Sequence, residues 1–382
     1  MSGSTSTTFG ELAKLRKDLV KPAAQLDSLP YLGLDHFKLG GGIHSIGHIS
    51  EASGDKYQFS EGATLYGRLR PYFRKTIQAT FDGYCSTEIW VIEPKDEKVL
   101  HPDYLPFLVH NQAFTEFAMA GAQGTKMPRA IWEHVSRFPV ELPRFDVQER
   151  HAKALQSMVK LADLDESLAD KLESLAILEI ESAHLPLVPM ATFAESPKIK
   201  TKSFSLGVVE HFSLPSFDVR KLPEFVDAHT IKSSKIPLDS PTVLVSRLNP
   251  KTPRIWMAYP RSEFQSGAST EFVLLRGRGI ANELIWALCA SQSFSSRLLE
   301  LVTGTTGSHQ RVDKAELLKV QVPDVRLLDD KTRQAIARLV SVAHNLRTEG
   351  QSVTSSKDRL LVGLLDGTFR LDEGGASGSD SD

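Results

Sequence analysis

The chain repeats itself: segments about 180 residues apart carry the same short motifs in the same order, so any fold that suits one half must suit the other. LYGRLRPY at 65 to 72 lies over LVSRLNPK at 244 to 251, which aligns Arg68 with Arg247, Leu69 with Leu248 and Pro71 with Pro250. CSTEIWVIEP from Cys85 lies over ASTEFVLLRG from Ala268, placing Ser86, Thr87 and Glu88 over Ser269, Thr270 and Glu271. A third pair, residues 110 to 129 and 290 to 311, differs by a short insertion in the second copy, and each copy then closes on a strand and Pro143 or Pro323.

Beyond each of these prolines the chain reads as a long helix. From Asp146 to about Leu185 there is no Pro or Gly, and a seven-residue frame puts Ala154, Leu161, Leu168 and Leu175 at one seam position with Leu164, Leu178 and Leu185 at the other. At 1.5 Å per residue this predicts a rod of about 60 Å. A second rod, from about Leu328 to Asp366, repeats the frame with Ile336, Leu339, Ala343, Leu346, Val353, Leu360 and Leu364. Gly350, Lys357 and the SVTSS stretch interrupt it, so a bend or frayed turn is expected there.

The expected fold class is α/β in the α+β sense, with an internal pseudo-two-fold duplication. The blocks are a module over 1–145, a long helix over 146–185, a second module over 186–326, a second long helix over 327–366 and a disordered tail over 367–382. Short β-branched and aromatic runs such as EIWVIEP, TVLVSRL and EFVLLRG read as strands, and YLPFLVHNQAFTEFAMAG and ELIWALCASQSFSSRLLELV each as an amphipathic helix.

Composition matters mainly for what it excludes. Forty-five basic against 47 acidic residues give a net charge of −2, which rules out a uniformly basic coat, yet the balance is uneven along the chain. The first module is neutral, the first rod is −5 and the second module is +5, so a localised basic face remains open. No apolar run approaches the ~20 residues of a membrane span. No secretory core follows Met1, so the cytoplasm is the expected location. Cys85 and Cys289 are too few for a disulfide scaffold or a four-cysteine zinc site.

Catalytic motifs are sparse. There is no GxxxxGK[ST] phosphate loop and no NPPY-like methyltransferase motif, and the three glycines at 40 to 42 lack the strand-turn-helix setting of a cofactor loop. His44 and His48 are four apart, but the surrounding glycines argue for a solvated loop and no metal site is expected. Asp82 with Glu93-Pro94-Lys95 is the one nuclease-like spacing, and the second copy replaces it with Leu275-Arg276-Gly277.

The ordered recurrence of YLGLDHF, LYGRLRPYFRK, CSTEIWVI, GTKMPR and FPVELP, and then of SLPSFD, LVSRLNPKTPRIW, STEFVLL and TGSHQRV, resembles the specificity subunit of type I restriction-modification systems. The terminal LLVGLLDGTFRL resembles the end of that family's second conserved helix. The resemblance covers nearly the whole chain and implies two target-recognition domains held apart by an antiparallel coiled coil of the two long helices. It implies a non-catalytic reader of double-stranded DNA in which each domain engages one half of a split target in the major groove, with half-sites about one helical turn apart. Two methylation subunits and the restriction subunits, carrying motor and nuclease, would be its partners. S-adenosylmethionine, ATP and Mg2+ would sit on those partners, and no cofactor on this chain. A coiled-coil adaptor that never touches DNA, or a metal-dependent nuclease, are the alternatives.

If the two modules read different sequences, elements shared by both cannot explain the difference. Arg68 and Arg247 therefore suit phosphate contacts, or structural ion pairs with Glu88 and Glu271, better than base reading. Arg70 and Lys251, on the same elements, join the DNA-binding candidates. The loops that differ supply Lys126 and Arg129 in one copy and His309, Gln310 and Arg311 in the other, where Gln suits adenine and Arg guanine. The Gly- and His-rich stretch from Asp35 to Lys56, and that from Asp218 to Lys235, are further candidate reading loops. Leu161, Leu164, Leu168, Leu175, Leu178, Leu339, Leu346 and Leu360 are expected to serve the coiled coil or a partner.

Overall fold

The computed structural model describes residues 5–20, 29–51, 54–250, 253–300 and 312–365. It forms two compact units, Met1–Lys160 with Val353–Asp382, and Leu161–Ser352, so the division falls within both long helices.

In the first unit a four-stranded antiparallel sheet runs in the order Ala13–Arg16, Ile89–Pro94, Thr64–Gly67, Thr76–Gln78. A five-stranded sheet runs Leu19–Val20, Lys56–Phe59, Gly83–Ser86, Pro30–Leu32, Gly47–His48, with its one parallel pair between Gly83–Ser86 and Pro30–Leu32. The second unit repeats the plan. Its antiparallel sheet runs Ala194–Glu195, Phe272–Gly277, Thr242–Ser246, Ile255–Ala258, and its other sheet runs Glu224–Asp227, Val208–Phe212, Gln265–Ala268, Ile236–Leu238, again with one parallel pair, Val208–Phe212 against Gln265–Ala268. The duplication read from short motifs is thus a duplication of topology.

The strands that read as unbroken apolar runs are buried on both faces. Side chains alternate along a strand, so Trp90 and Ile92 enter one core with Phe9, Tyr66 and Phe114, while Ile89 and Val91 enter another with Leu32 and Phe59. Val273 and Leu275 part from Phe272 and Leu274 in the same way in the second unit. Cys85 and Cys289 are buried thiols, and burial pushes the Cys85 pKa up to about 12, so it is a packing residue at neutral pH.

Each segment expected as one amphipathic helix is two. Leu105–His110 and Gln112–Ala120 part at Asn111, whose extended backbone lets its side-chain oxygen accept the Phe114 N–H at 2.8 Å. Asn282–Ala290 and Gln292–Glu300 part at Ser291, whose Oγ accepts the Phe294 N–H at 3.1 Å. An N-cap inside an apolar run ends one helix and starts the next without interrupting the hydrophobic pattern.

The long helices are Phe145–Ser182 and Asp330–Leu365. The second is continuous through Gly350 and the SVTSS stretch, contrary to the expected interruption. The reason is visible in the second unit: a Cβ on Gly350 would lie 3.3 Å from the Ala162 carbonyl oxygen and 3.2 Å from Asp165 Cβ, so the glycine admits a close crossing. There the helices run antiparallel, with Gly350 against Ala162, Arg347 against Asp170 and Glu173, and Ile336 and Val340 in one cluster with Ala176 and Ile180. In the first unit Leu155 packs with Leu361 and Leu364.

The inward seam is not the one the leucines suggested. On the second helix Ile336, Val340, Ala343, Arg347, Gly350, Lys357, Leu361 and Leu364 are buried at alternating heptad spacing, and Leu339, Leu346 and Leu360 flank them half-buried. On the first helix the buried apolar set is Ala152, Leu155, Ala169, Ala176 and Ile180, with Gln148 and His151 buried beside it, whereas Leu161, Leu164, Leu168, Leu175 and Leu178 are 42–66% exposed. Alanine lets the backbones approach, and the wider leucine stripe is turned outward.

Candidate nucleic-acid interface

In the first module three loops that sequence reasoning considered separately meet at one place. The turn after Thr64–Gly67 is held to the GTKMPR loop by the Arg70 N–H donating to the Pro128 carbonyl at 2.6 Å, by the Ala130 N–H donating to the Arg68 carbonyl at 2.9 Å, and by a bridge between Leu69 and Arg129. The glycine loop joins from the other side, where Gly40 N–H donates to Phe73 O at 2.9 Å and Gly42 N–H to Thr76 O at 3.4 Å. Gly40, Gly41 and Gly42 have φ of 78°, 101° and 87°, a run that residues with a Cβ tolerate poorly. Arg68, Arg70, Lys126 and Arg129 are therefore on adjoining segments.

Within this surface the arginines differ in freedom. Arg129 donates to both oxygens of Glu88, its Nε at 2.9 and 3.1 Å, while Arg68 Nε lies 3.9 Å from the same carboxylate and its guanidinium sits over the Trp90 ring. Hydrogen bonding to Glu88 raises the Arg129 pKa above the ordinary guanidinium value. Glu88 thus anchors the GTKMPR loop through Arg129, where the sequence reading pairs it with Arg68. Arg70 has a φ of 53° and lies over Phe73, and Arg74, with a φ of 50°, donates to the His110 carbonyl at 3.0 Å and lies 3.6 Å from Asp358. Lys126 projects from an exposed run, 123 to 127.

The second module repeats the frame. Arg247 N–H donates to Glu271 O at 2.8 Å as Arg68 N–H does to Glu88 O at 2.9 Å, and Val312 N–H donates to Arg247 O at 3.0 Å where Ala130 does to Arg68. Asn249 takes the left-handed backbone of Arg70, with a φ of 50°. Ser86 and Ser269 each accept the N–H two residues on at 3.3 Å, a strand-end turn rather than a nucleophile's setting. Lys251, His309, Gln310 and Arg311 lie outside the described residues.

One feature of the first module escaped the sequence reading. An open cleft of about 600 Å³ along the edge strand Ala13–Arg16 is lined by Lys14, Lys17, Lys95 and Arg137, and a smaller one beside it reaches Arg68 and Trp132. The KLRK run at 14 to 17 was its only local signal, since Lys95 and Arg137 arrive from distant segments. In the second module the strand pairing puts Glu195 where Lys14 stands. Such a cleft suits an anion.

The nuclease-like spacing is used for structure. Asp82 accepts the Glu61 N–H at 2.8 Å and Glu93 pairs with Arg16 at 3.1 Å. Among the described residues no group of three His, Cys, Asp or Glu side chains is placed to hold a metal, and no helix is long and apolar enough to cross a membrane. His44 bonds the Asp35 carbonyl at 2.6 Å and His48 the Ser50 hydroxyl at 2.8 Å.

Residues 45–174, which hold most of this interface, match the family model for the type I restriction modification DNA specificity domain. The match spans 130 of the chain's 382 residues, about a third. A specificity subunit of the type I restriction enzyme EcoDI of Escherichia coli is 28% identical over 108 residues, 28% of this chain and 23% of that protein, so the match spans about a quarter of the relative. The crystal structure of a type I restriction-modification S subunit from M. genitalium is similar over 97% of both chains with a TM-score of 0.52 at 12% identity, a likeness of fold. An HsdS subunit from Thermoanaerobacter tengcongensis aligns over 96% of this chain and 97% of its own with a TM-score of 0.42 at 17% identity.

Proposed function

We propose that this chain is the DNA sequence-reading subunit of a type I restriction-modification assembly, with each module engaging one half of a split target in the major groove. The observation that carries the reading is the convergence of three loops and their cations on a module that matches a DNA specificity domain. In this reading the cleft lined by Lys14, Lys17, Lys95 and Arg137 takes backbone phosphates, Lys126 reaches toward bases and Glu88 positions Arg129. The chain supplies no catalysis. Methylation subunits bearing S-adenosylmethionine, and restriction subunits bearing ATP and Mg2+, act on the DNA it selects, in the cytoplasm. The exposed stripe of Leu161, Leu164, Leu168, Leu175 and Leu178 supports a helical partner on the first long helix, and we assign it to a methylation subunit.

The test is DNA binding by the chain assembled with its methylation partner, on duplexes carrying the motif that methylome mapping shows to depend on this chain. Affinity should fall linearly in log–log form with salt and should require both half-sites. Substituting Gln310 or Arg311 should change preference in one half-site alone. Binding indifferent to salt and sequence would return the chain to the class of coiled-coil adaptors.

A further inference from the structure

The tip of the first module is not uniformly polar. Tyr72 is 47% exposed and Met127 is 43% exposed, and the hydrogen bond from Arg70 to Pro128 joins the segments that carry them. The turn Pro71–Phe73 that presents Tyr72 is bracketed by Arg70 and Arg74, both at positive φ. A residue with a Cβ adopts that conformation at a steric cost, so the turn is held against its local preference. The Tyr72 ring meets Phe73 edge-on at 4.7 Å, which fixes the tyrosine from one side and leaves the other to solvent.

Comparison between the copies separates scaffold from side chain. Asn249 keeps the left-handed backbone of Arg70, yet the motif alignment puts Lys251 opposite Tyr72, and SHQR closes the loop where KMPR stands in the first module. The left-handed position that opens the turn is therefore common to both modules, while the apolar pair belongs to the sequence of the first alone. In a major groove, where the other base-edge groups are polar, the partner that rewards exposed apolar side chains is the C5-methyl of thymine.

We propose that the first module reads thymine in its half-site through contact of Tyr72 and Met127 with the C5-methyl group. The inference rests on the DNA-reading function above and specifies one of its contacts. Arg70 and Lys126 flank the pair, Arg70 placed to meet a phosphate and Lys126 a neighbouring base edge.

The experiment uses the chain assembled with its methylation partner and duplexes of the mapped target in which each thymine is replaced singly by uracil, which removes the methyl and leaves base pairing intact. Replacement of one thymine in the half-site whose preference shifts on Met127→Ala should weaken binding about fourfold, the worth of one buried methyl-sized group. Tyr72→Ala and Met127→Ala should each bind thymine and uracil duplexes with more nearly equal affinity, a loss of discrimination that a merely structural role would not produce. Met127 lies on an exposed loop, so its substitution serves if Tyr72→Ala fails to fold, and the uracil scan leaves the protein untouched.

Sequence-specific binding that ignores every uracil replacement would overturn the proposal while leaving the DNA-reading function standing, as would a first half-site without thymine. Uniform weakening on all sequences with discrimination intact would also overturn it, and would favour a wedge between base steps. Absence of any sequence-specific binding would remove the parent reading instead.

Discussion

Arg347→Met should destabilise the second unit by about 2–3 kcal/mol, because the arginine occupies the seam between the long helices and its loss leaves Glu173 and Asp170 without their closest cation. Its side chain is 6% exposed and donates to Glu173, 15% exposed, with one bond at 2.8 Å, and to Asp170, 57% exposed. Breaking a fully buried pair costs about 3–5 kcal/mol and an exposed one under about 1. The network lies between these limits, since Asp170 reaches water and Lys221 still contacts both acids, at 3.2 and 3.1 Å.

Thermal unfolding followed by circular dichroism at neutral pH should show the transition of the second unit lowered by about 5–10 °C. Burial disfavours the Asp170 carboxylate, but Lys221 and Arg347 more than offset it and hold its pKa below the ordinary value. The group therefore stabilises the fold above its unfolded-state pKa, and that contribution is lost as pH falls through the lower folded-state value, so the gap between wild type and variant should narrow in acid. A difference under about 0.5 kcal/mol, or one that persists unchanged in a Glu173→Gln background, would refute the assignment of the stability to this contact.

Three further outcomes are expected. His344 is half-buried against Tyr259, with ring centroids 4.5 Å apart, and desolvation together with the charges of Arg347 and Arg261 lowers its pKa to about 4 from 6.5. The unfolded chain then binds more protons between those values, so stability should fall as pH drops from about 6.5 to about 4, by at most about 3 kcal/mol, and His344→Gln should flatten that part of a denaturation profile. Gly121→Ala should cost about 1–3 kcal/mol in thermal unfolding, because its Cβ would overlap the His134 ring, itself stacked on Phe117. Leu164→Glu with Leu175→Glu should leave the melting temperature nearly unchanged, since both side chains face solvent, while abolishing co-purification with the methylation subunit.

The duplication, the mixed class of the modules and the two long helices are legible in the chain alone, because these depend on local pattern: motif order, apolar runs and the lack of Pro or Gly across 146–185. Even the left-handed turn had a local sign in Asn249, a residue type that tolerates positive φ, although Arg70 hides it in the first copy. Tertiary structure alone decided which stripe of each helix faces its partner. Two apolar stripes on one helix satisfy the same periodicity, and close packing around Gly350 selected alanine and turned leucine outward. It also placed Arg347 and Lys357 in the seam, where Arg347 joins the two helices through Asp170 and Glu173. At the interface, Arg68, Arg70 and Arg129 were legible as candidates, but that Glu88 holds Arg129, and that Lys95 and Arg137 share a cleft with Lys14, follows from strand pairing and loop docking between residues far apart in the chain, which local pattern does not encode.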